Sequence, residues 1–417
     1  MIRTSRLASW TGSIISKCSV ELTDFHTSGK WRLSKRLDIF RNSDQIPKRF
    51  SKMCALFLEI KLMRALLFLF FLTLPATAFA VTPNFKIVKV ANGVYAAIRT
   101  EPPGLTVNAN TVFIINDEDV VVVDTTLTPG TARETIAALK QLTNKPVKYV
   151  INTHWHDDHI MGNHAYREAF PGVEFIAHVE TRHYLPTTGL KNREGAMSEQ
   201  GYPAFINALK SRLAKNESVF GGPMNDEEKL TYQSGIDIAS RYMAENPGVE
   251  IVLPTTTVQD RLSLQRGKRT IDIRYFGRGH TSGDLVVFLP KERVVITGDL
   301  VVWPVPYVGS PQSHPHDWNL ALQQILALRA KQIIPGHGPV LKDDLQVKLM
   351  SKLFAYIDEQ VRAAVKRGED LEQVRQGINL DYYRDILAGE SRMRKLIFRN
   401  YVVGPAVEAA FLDATAK

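Results

Sequence analysis

From Asn84 onward, apolar and polar positions alternate in short runs broken by turn residues, and each run predicts an element. The β-branched stretches Val94–Arg99, Thr111–Ile115 and Val120–Thr125 read as strands, the last two joined by the turn 116–119. Helical spacing over Thr131–Leu142 leads into a strand at Val147–Asn152, and Val173–Ala177 reads as another. The rhythm changes at 195–245. Phe205, Leu209 and Leu213 recur every four residues, and a second helix is predicted over 226–244 before Asn246-Pro247-Gly248 stops it. This stretch reads as a helical insertion. Strands resume at Val249–Leu253, Ile271–Tyr275, Leu285–Leu289 and Val294–Thr297, followed by a helix at 317–330 and a strand at Gln332–Ile334. Val347, Met350, Phe354, Ile357, Val361 and Val365 then form an apolar stripe on a C-terminal helix. No internal repeat breaks this order. Strands mixed with helices predict an α/β or α+β fold, its sheets covered by helices.

Composition adds one correction. The chain has 417 residues, 44% apolar and 23% charged, the balance of a globular protein with material for a sizeable core. Its net charge of +9 suggests an anionic partner, but the charge is unevenly placed. Residues 1–80 hold 13 basic against 5 acidic side chains; residues 81–417 hold 39 against 38. The body is close to neutral, so no nucleic-acid partner is expected.

The basic leader contains a secretory signal. Met63-Arg64 is a short positive start, 65–74 is an apolar run, and Ala78-Phe79-Ala80 has the small-x-small pattern of a cleavage site. The run is shorter than the roughly 20 residues a membrane span needs. Cleavage leaves Val81 first, placing the protein in the periplasm or outside the cell with no stable membrane association. Residues 1–62 sit awkwardly before such a signal and read as a non-native or disordered extension, with translation starting at Met63 or Met53. Both cysteines, Cys18 and Cys54, lie in the leader. Residues 81–417 therefore hold neither a disulfide nor a thiolate ligand, and any metal must be held by His, carboxylate or water.

One segment carries the chemistry: Thr153-His154-Trp155-His156-Asp157-Asp158-His159. In an extended loop residues two apart point the same way, so His154 and His156 can grip one ion together. Asp158 and His159 face a second, and Asp157 points away. The segment resembles the hallmark of the metallo-β-lactamase superfamily. Other elements of that pattern follow in order: Asp124 closing VVVVD, His280 in GRGHTSGD, Asp299 ending RVVITGD and His337 in IIPGHGP. The resemblance covers about residues 90–345.

It implies an α+β, four-layer αββα sandwich with the site where strand ends meet. The catalytic domain spans 84–345, with 195–245 inserted and 346–417 a C-terminal helical extension. Carried over, it gives His154, His156 and His280 to a first metal, Asp158, His159 and His337 to a second, and Asp299 to both. Asp124 holds the His loop from behind. The site suits two Zn²⁺ per chain, with iron or manganese as alternatives. A metal-bridging hydroxide would attack the substrate, and Asp158 would orient it and take its proton.

Other candidates stand beside this set. His164 is expected to start a helix, and His178 and His183 to be surface or core residues. His314 and His316 lie where the family builds its pocket wall, as do Trp303, Tyr307 and Trp318, which either line a pocket or pack the segment. The resemblance does not fix the substrate. Zinc β-lactamases usually carry Cys or Ser where this chain has Asp299, flavodiiron proteins have Glu at the position of His156, and nucleases add elements absent here. Hydrolysis of a small-molecule ester, thioester, lactone or lactam is expected, as in the glyoxalase II-like branch. The alternatives are β-lactamase-like antibiotic hydrolysis and mono-iron persulfide-dioxygenase-like chemistry. The insertion at 195–245 is expected to form the lid. The sequence leaves the oligomeric state open.

Overall fold

The computed structural model describes residues 84–104, 108–309 and 311–416. The signal at 63–80 and the extension at 1–62 lie outside the described residues.

Two sheets face each other. The first runs in spatial order β1 (Phe85–Ala91), β2 (Val94–Arg99), β3 (Thr111–Ile115), β4 (Val120–Val123), β5 (Val147–Ile151), β6 (Glu174–His178) and β7 (Thr256–Val258). It is antiparallel up to β4 and parallel from there to β7. The second, in order of sequence, comprises β8 (Arg261–Arg266), β9 (Arg269–Tyr275), β10 (Leu285–Leu289), β11 (Val294–Ile296) and β12 (Gln332–Ile334). Only its β11–β12 pair is parallel.

Burial explains the valine-rich runs. Every residue of β4 is buried, because Val121 and Val123 face the second sheet while Val120 and Val122 face helices. A strand covered on both faces reads as a continuous apolar run instead of an alternating one. The first sheet's outer face packs on α1 (Pro129–Leu142) and, after the short turn of helix α2 (Asp157–Ile160), on α3 (Asn163–Ala169). Thr128 caps α1 reciprocally with Thr131.

Between β6 and β7 the chain is helical: α4 (Val179–Tyr184), a π-turn at Leu185–Gly189, α5 (Leu190–Met197), α6 (Tyr202–Lys215) and α7 (Asp226–Glu245). The outer face of the second sheet packs on α8 (Pro315–Ala327) and α9 (Leu345–Lys366). The chain closes with α10 (Leu371–Gly377), α11 (Asp381–Ala388), α12 (Arg392–Phe398), a π-turn at Arg399–Val403 and α13 (Gly404–Thr415). The order helix, sheet, sheet, helix is the expected αββα sandwich. No helix among the described residues is long and apolar enough to cross a membrane.

Some predicted elements move. Val249–Leu253 is not a strand: Val249 and Ile251 pack as loop against Trp155 and Leu185, and the ladder forms at Thr256–Val258 instead. Strands β1 and β8 lacked a clear apolar signature because their outward positions are polar, as in RLSLQR. The predicted end of β4 retracts from Thr125 to Val123 because Asp124 turns left-handed (φ 59°).

Candidate metal centre

Parallel strands bring successive C-terminal loops to one sheet edge, and here they bring the chemistry. Asp124 follows β4, the 153–159 loop follows β5, Asp299 follows β11 and His337 follows β12; His280 arrives on the loop before β10. Two glycines let these loops meet. A Cβ on Gly336 would lie 2.0 Å from Asp299 Oδ1, and one on left-handed Gly298 would strike Thr153.

The structure gathers all seven expected metal residues in groups with mutually close ligand atoms: His154, His156, His280; His154, His159, Asp299; and Asp158, His159, His337. His156 Nδ1 lies 3.1 Å from His154 Nε2 and 2.9 Å from His280 Nε2. His337 Nε2 lies 3.1 Å from Asp158 Oδ2 and 3.4 Å from Asp299 Oδ1, which is 3.3 Å from His159 Nε2. Asp299 Oδ2 reaches the other cluster, 3.5 Å from His280 Nε2. Asp299 thus stands between the two groups.

Two of the imidazoles are fixed from behind. Asp124 accepts from His159 Nδ1 and from the Thr153 amide and hydroxyl, each at 2.8 Å. The Tyr307 carbonyl accepts from His280 Nδ1 at 2.7 Å. With Nδ1 as donor, the Nε2 lone pair of both rings points inward.

The centre fits a metal. Asp158 Oδ2, His159 Nε2, Asp299 Oδ1 and His337 Nε2 are buried with no partner in hydrogen-bonding geometry, though they converge. Buried polar atoms are rarely left so, and an N/O set of this kind matches a divalent cation. Charge tells the same story. Burial, then neighbouring imidazoles, hold His154 well below the usual range, and burial pushes His280 down to about 3. Burial alone would lower His337, but Asp299 and Asp158 outweigh it and lift it to about 9. His159 is raised the same way, while His337 and His159 hold Asp299 well below the carboxylate range against the effect of burial. The carboxylates favour the charged form of these two rings as they would favour a cation, so metal binding there competes with protons.

Asp158 opens, with His156, His280 and Asp299, onto a cavity of about 240 Å³ walled by Tyr307, Gln312 and Tyr401. A second cavity of about 430 Å³ lies on the other side of Tyr307, lined by His337, Trp303 and the strand end at Arg99. Among the described residues none of 195–245 lines either cavity, although buried Tyr202 lies within electrostatic reach of Asp158 and Tyr401. The helices between β6 and β7 grip the loop's outer face. Asp157 points away, as expected, and accepts from Arg193 Nη2 at 2.7 Å and from the Tyr242 hydroxyl.

The remaining candidates separate cleanly. Trp303 and Tyr307 line cavities, whereas Trp318 is fully buried against His280 and Phe354 and donates to the Leu300 carbonyl. His314 contacts Asp413 and Ser282, and His316 pairs with Asp358; neither lines a cavity at the centre. His164 lies in the first turn of α3, His178 caps α4 and His183 is exposed. Tyr401 escaped the sequence reading, since it lies 64 positions past His337 with no motif to mark it.

The model of the metallo-beta-lactamase superfamily matches residues 105–337. The chain belongs to that superfamily, and its His/Asp groups are of the kind that hold metal ions. It is similar to the linear primary-alkylsulfatase of Pseudomonas sp. (strain ATCC 19151), 24% identical over 260 residues covering 60% of this chain and 46% of that one. A shorter match, 36% identical over 89 residues, is to the hydroxyacylglutathione hydrolase of Gloeobacter violaceus, covering 21% of this chain and 33% of the relative. Among solved structures, a stereoselective inverting sec-alkylsulfatase from Pseudomonas sp. matches in fold, with TM-score 0.54 and 14% identity over 79% of this chain and 50% of that one. The chain thus spans half or less of the length of these relatives.

Proposed function

We propose that this chain is an exported di-zinc hydrolase that cleaves a small ester, thioester, lactone or lactam. The observation that carries the reading is Asp299, a carboxylate set between two His-rich groups in a body without cysteine. Zinc, when bound, supplies Lewis acidity and a water acidified towards neutral pH.

The chain's own residues do the rest. Asp124 and the Tyr307 carbonyl hold His159 and His280 in the tautomer that faces the centre. Asp158, at the cavity floor, orients the attacking water, takes its proton on a carboxylate oxygen and passes it to the departing alcohol, thiol or amine. Tyr307, Val308 and Tyr401 offer aromatic and aliphatic surface around the reacting group. The described lining of this cavity holds no Lys or Arg, which favours an uncharged acyl centre over a phosphoryl or sulfuryl one.

The test is a chromogenic panel on zinc-loaded protein: lactam, lactone, thioester, carboxylic ester, phosphodiester and alkyl sulfate. Turnover within the acyl group, with two zinc per chain and about a thousandfold or greater loss in Asp158→Asn, is expected. Turnover of alkyl sulfate alone, or an active Asp158→Asn enzyme, overturns the reading. Export has its own check: protein recovered from the periplasm of a bacterial host should begin at Val81, and an N-terminus still carrying 63–80 refutes it.

A further inference from the structure

The larger cavity differs in charge from the smaller one. Lys86, Arg99 and Arg394 line it against a single acidic group, Glu101, although residues 81–417 as a whole are almost neutral. Glu101 is taken up by Arg99, which is buried beside it and still has Nη1 without a partner. Arg394, on α12, lies outside the segment matched by the superfamily model. Its guanidinium sits over the Trp303 ring, 4.9 Å from the centroid. Among the described residues no carboxylate pairs with it, and its Nε is buried without an acceptor. Its helix neighbour Arg392, in contrast, is paired with Glu228 at 3.0 Å.

An aromatic face orients a guanidinium while leaving its edge free, and that edge is the fork which receives a carboxylate through two hydrogen bonds. Trp303 is itself 36% exposed, an apolar platform at the cavity wall. The cavity is next to the reaction site: Tyr307 lines both spaces, and His337 lines the larger one while its Nε2 pairs with Asp158 and Asp299 of the smaller.

We propose that the larger cavity binds an anionic substituent of the substrate, a carboxylate held by Arg394 over Trp303, while the uncharged scissile acyl group lies in the smaller cavity. This rests on the acyl-hydrolase reading above. It narrows the substrate class to esters, thioesters or cyclic equivalents that carry a free acid a few bonds from the bond cleaved. Arg394 would be a specificity residue, touching the acid and not the reacting atoms.

The test compares mono(4-nitrophenyl) glutarate with 4-nitrophenyl pentanoate, two esters of equal chain length differing in the terminal carboxylate. Wild-type enzyme should prefer the glutarate. In Arg394→Met, whose side chain still covers Trp303, the kcat/KM ratio of glutarate to pentanoate should fall about tenfold or more through KM, as expected for a lost charge-assisted pair. Arg394→Lys should recover part of it. Thermal melts accompany both variants to show that they fold. An unchanged ratio in folded Arg394→Met overturns the proposal. If wild type cleaves neither ester, the acyl reading is decided by the wider panel above, and calorimetric titration of the zinc-loaded protein with glutarate decides the site. Binding weakened about tenfold in Arg394→Met sustains it; equal or absent binding in both proteins overturns it.

Discussion

The loop 153–159 has two faces, and they are held by different parts of the molecule. On the inner face His154, His156, Asp158 and His159 converge, steadied by Asp124, which sits at the end of β4 in a left-handed conformation. On the outer face Trp155 is buried against Ile160, Met161 and Leu185, and Asp157 is clamped by Arg193 and Tyr242. The inner supports come from neighbouring strand ends of the sandwich. The outer supports come from helices inserted between β6 and β7. The difference teaches what these helices do: they buttress the loop from outside, while Tyr307, Gln312 and Tyr401 wall the cavity onto which its inner face opens.

Breaking the outer grip should have the largest effect on stability. Arg193→Met leaves Asp157 largely buried with only Tyr242, at a cost of about 3 kcal/mol for an orphaned charge. Chemical denaturation measures it, and a loss below about 0.5 kcal/mol would show the clamp to be ornamental. Breaking the inner grip should show in metal affinity. Asp124→Asn keeps a side chain that tolerates the left-handed backbone but removes the charge behind His159, so affinity should fall about 10–100-fold in a competition assay with a chromogenic chelator. Equal affinity would mean that the ring needs no such support.

The smallest effect tests how the insertion is itself anchored. Glu228, fully buried at the start of α7, accepts from Ser218, the Asn225 amide and Arg392 of α12. Burial pushes its carboxyl up, but these donors together hold it below the usual range. A group depressed in the folded state adds stability above its unfolded pKa of about 4.3 and loses it as pH falls through the folded value. Glu228→Gln should therefore cost about 1 kcal/mol at pH 7, with the gap to wild type closing below about pH 4. A gap independent of pH would assign the loss to packing.

The inner face was almost fully legible in the sequence, and the outer face was not. His154, His156, Asp158 and His159 announce themselves because alternation in an extended loop is a local rule, and the missing cysteines narrowed the remaining ligands to His and carboxylate. Asp124, Asp299 and His337 each end an apolar run, which marks a strand end. Arg193 and Tyr242 lie 36 and 85 positions from Asp157 on separate helices, where nothing in the spacing separates a buried clamp from a solvated face. Tyr401 and Arg394 are hidden for the same reason. The strand predicted at Val249–Leu253 failed because apolar residues covering Trp155 look, in sequence, like residues in a ladder.

Tyr401 stands apart in the chain from the residues it faces. It lies in the π-turn at Arg399–Val403, whereas the seven candidate ligands are complete once His337 has been made. All seven lie within the segment matched by the superfamily model, and Tyr401, like Arg394, lies beyond it. The metal residues and part of the cavity wall thus belong to separate stretches of chain, so the wall can change in sequence without touching a ligand.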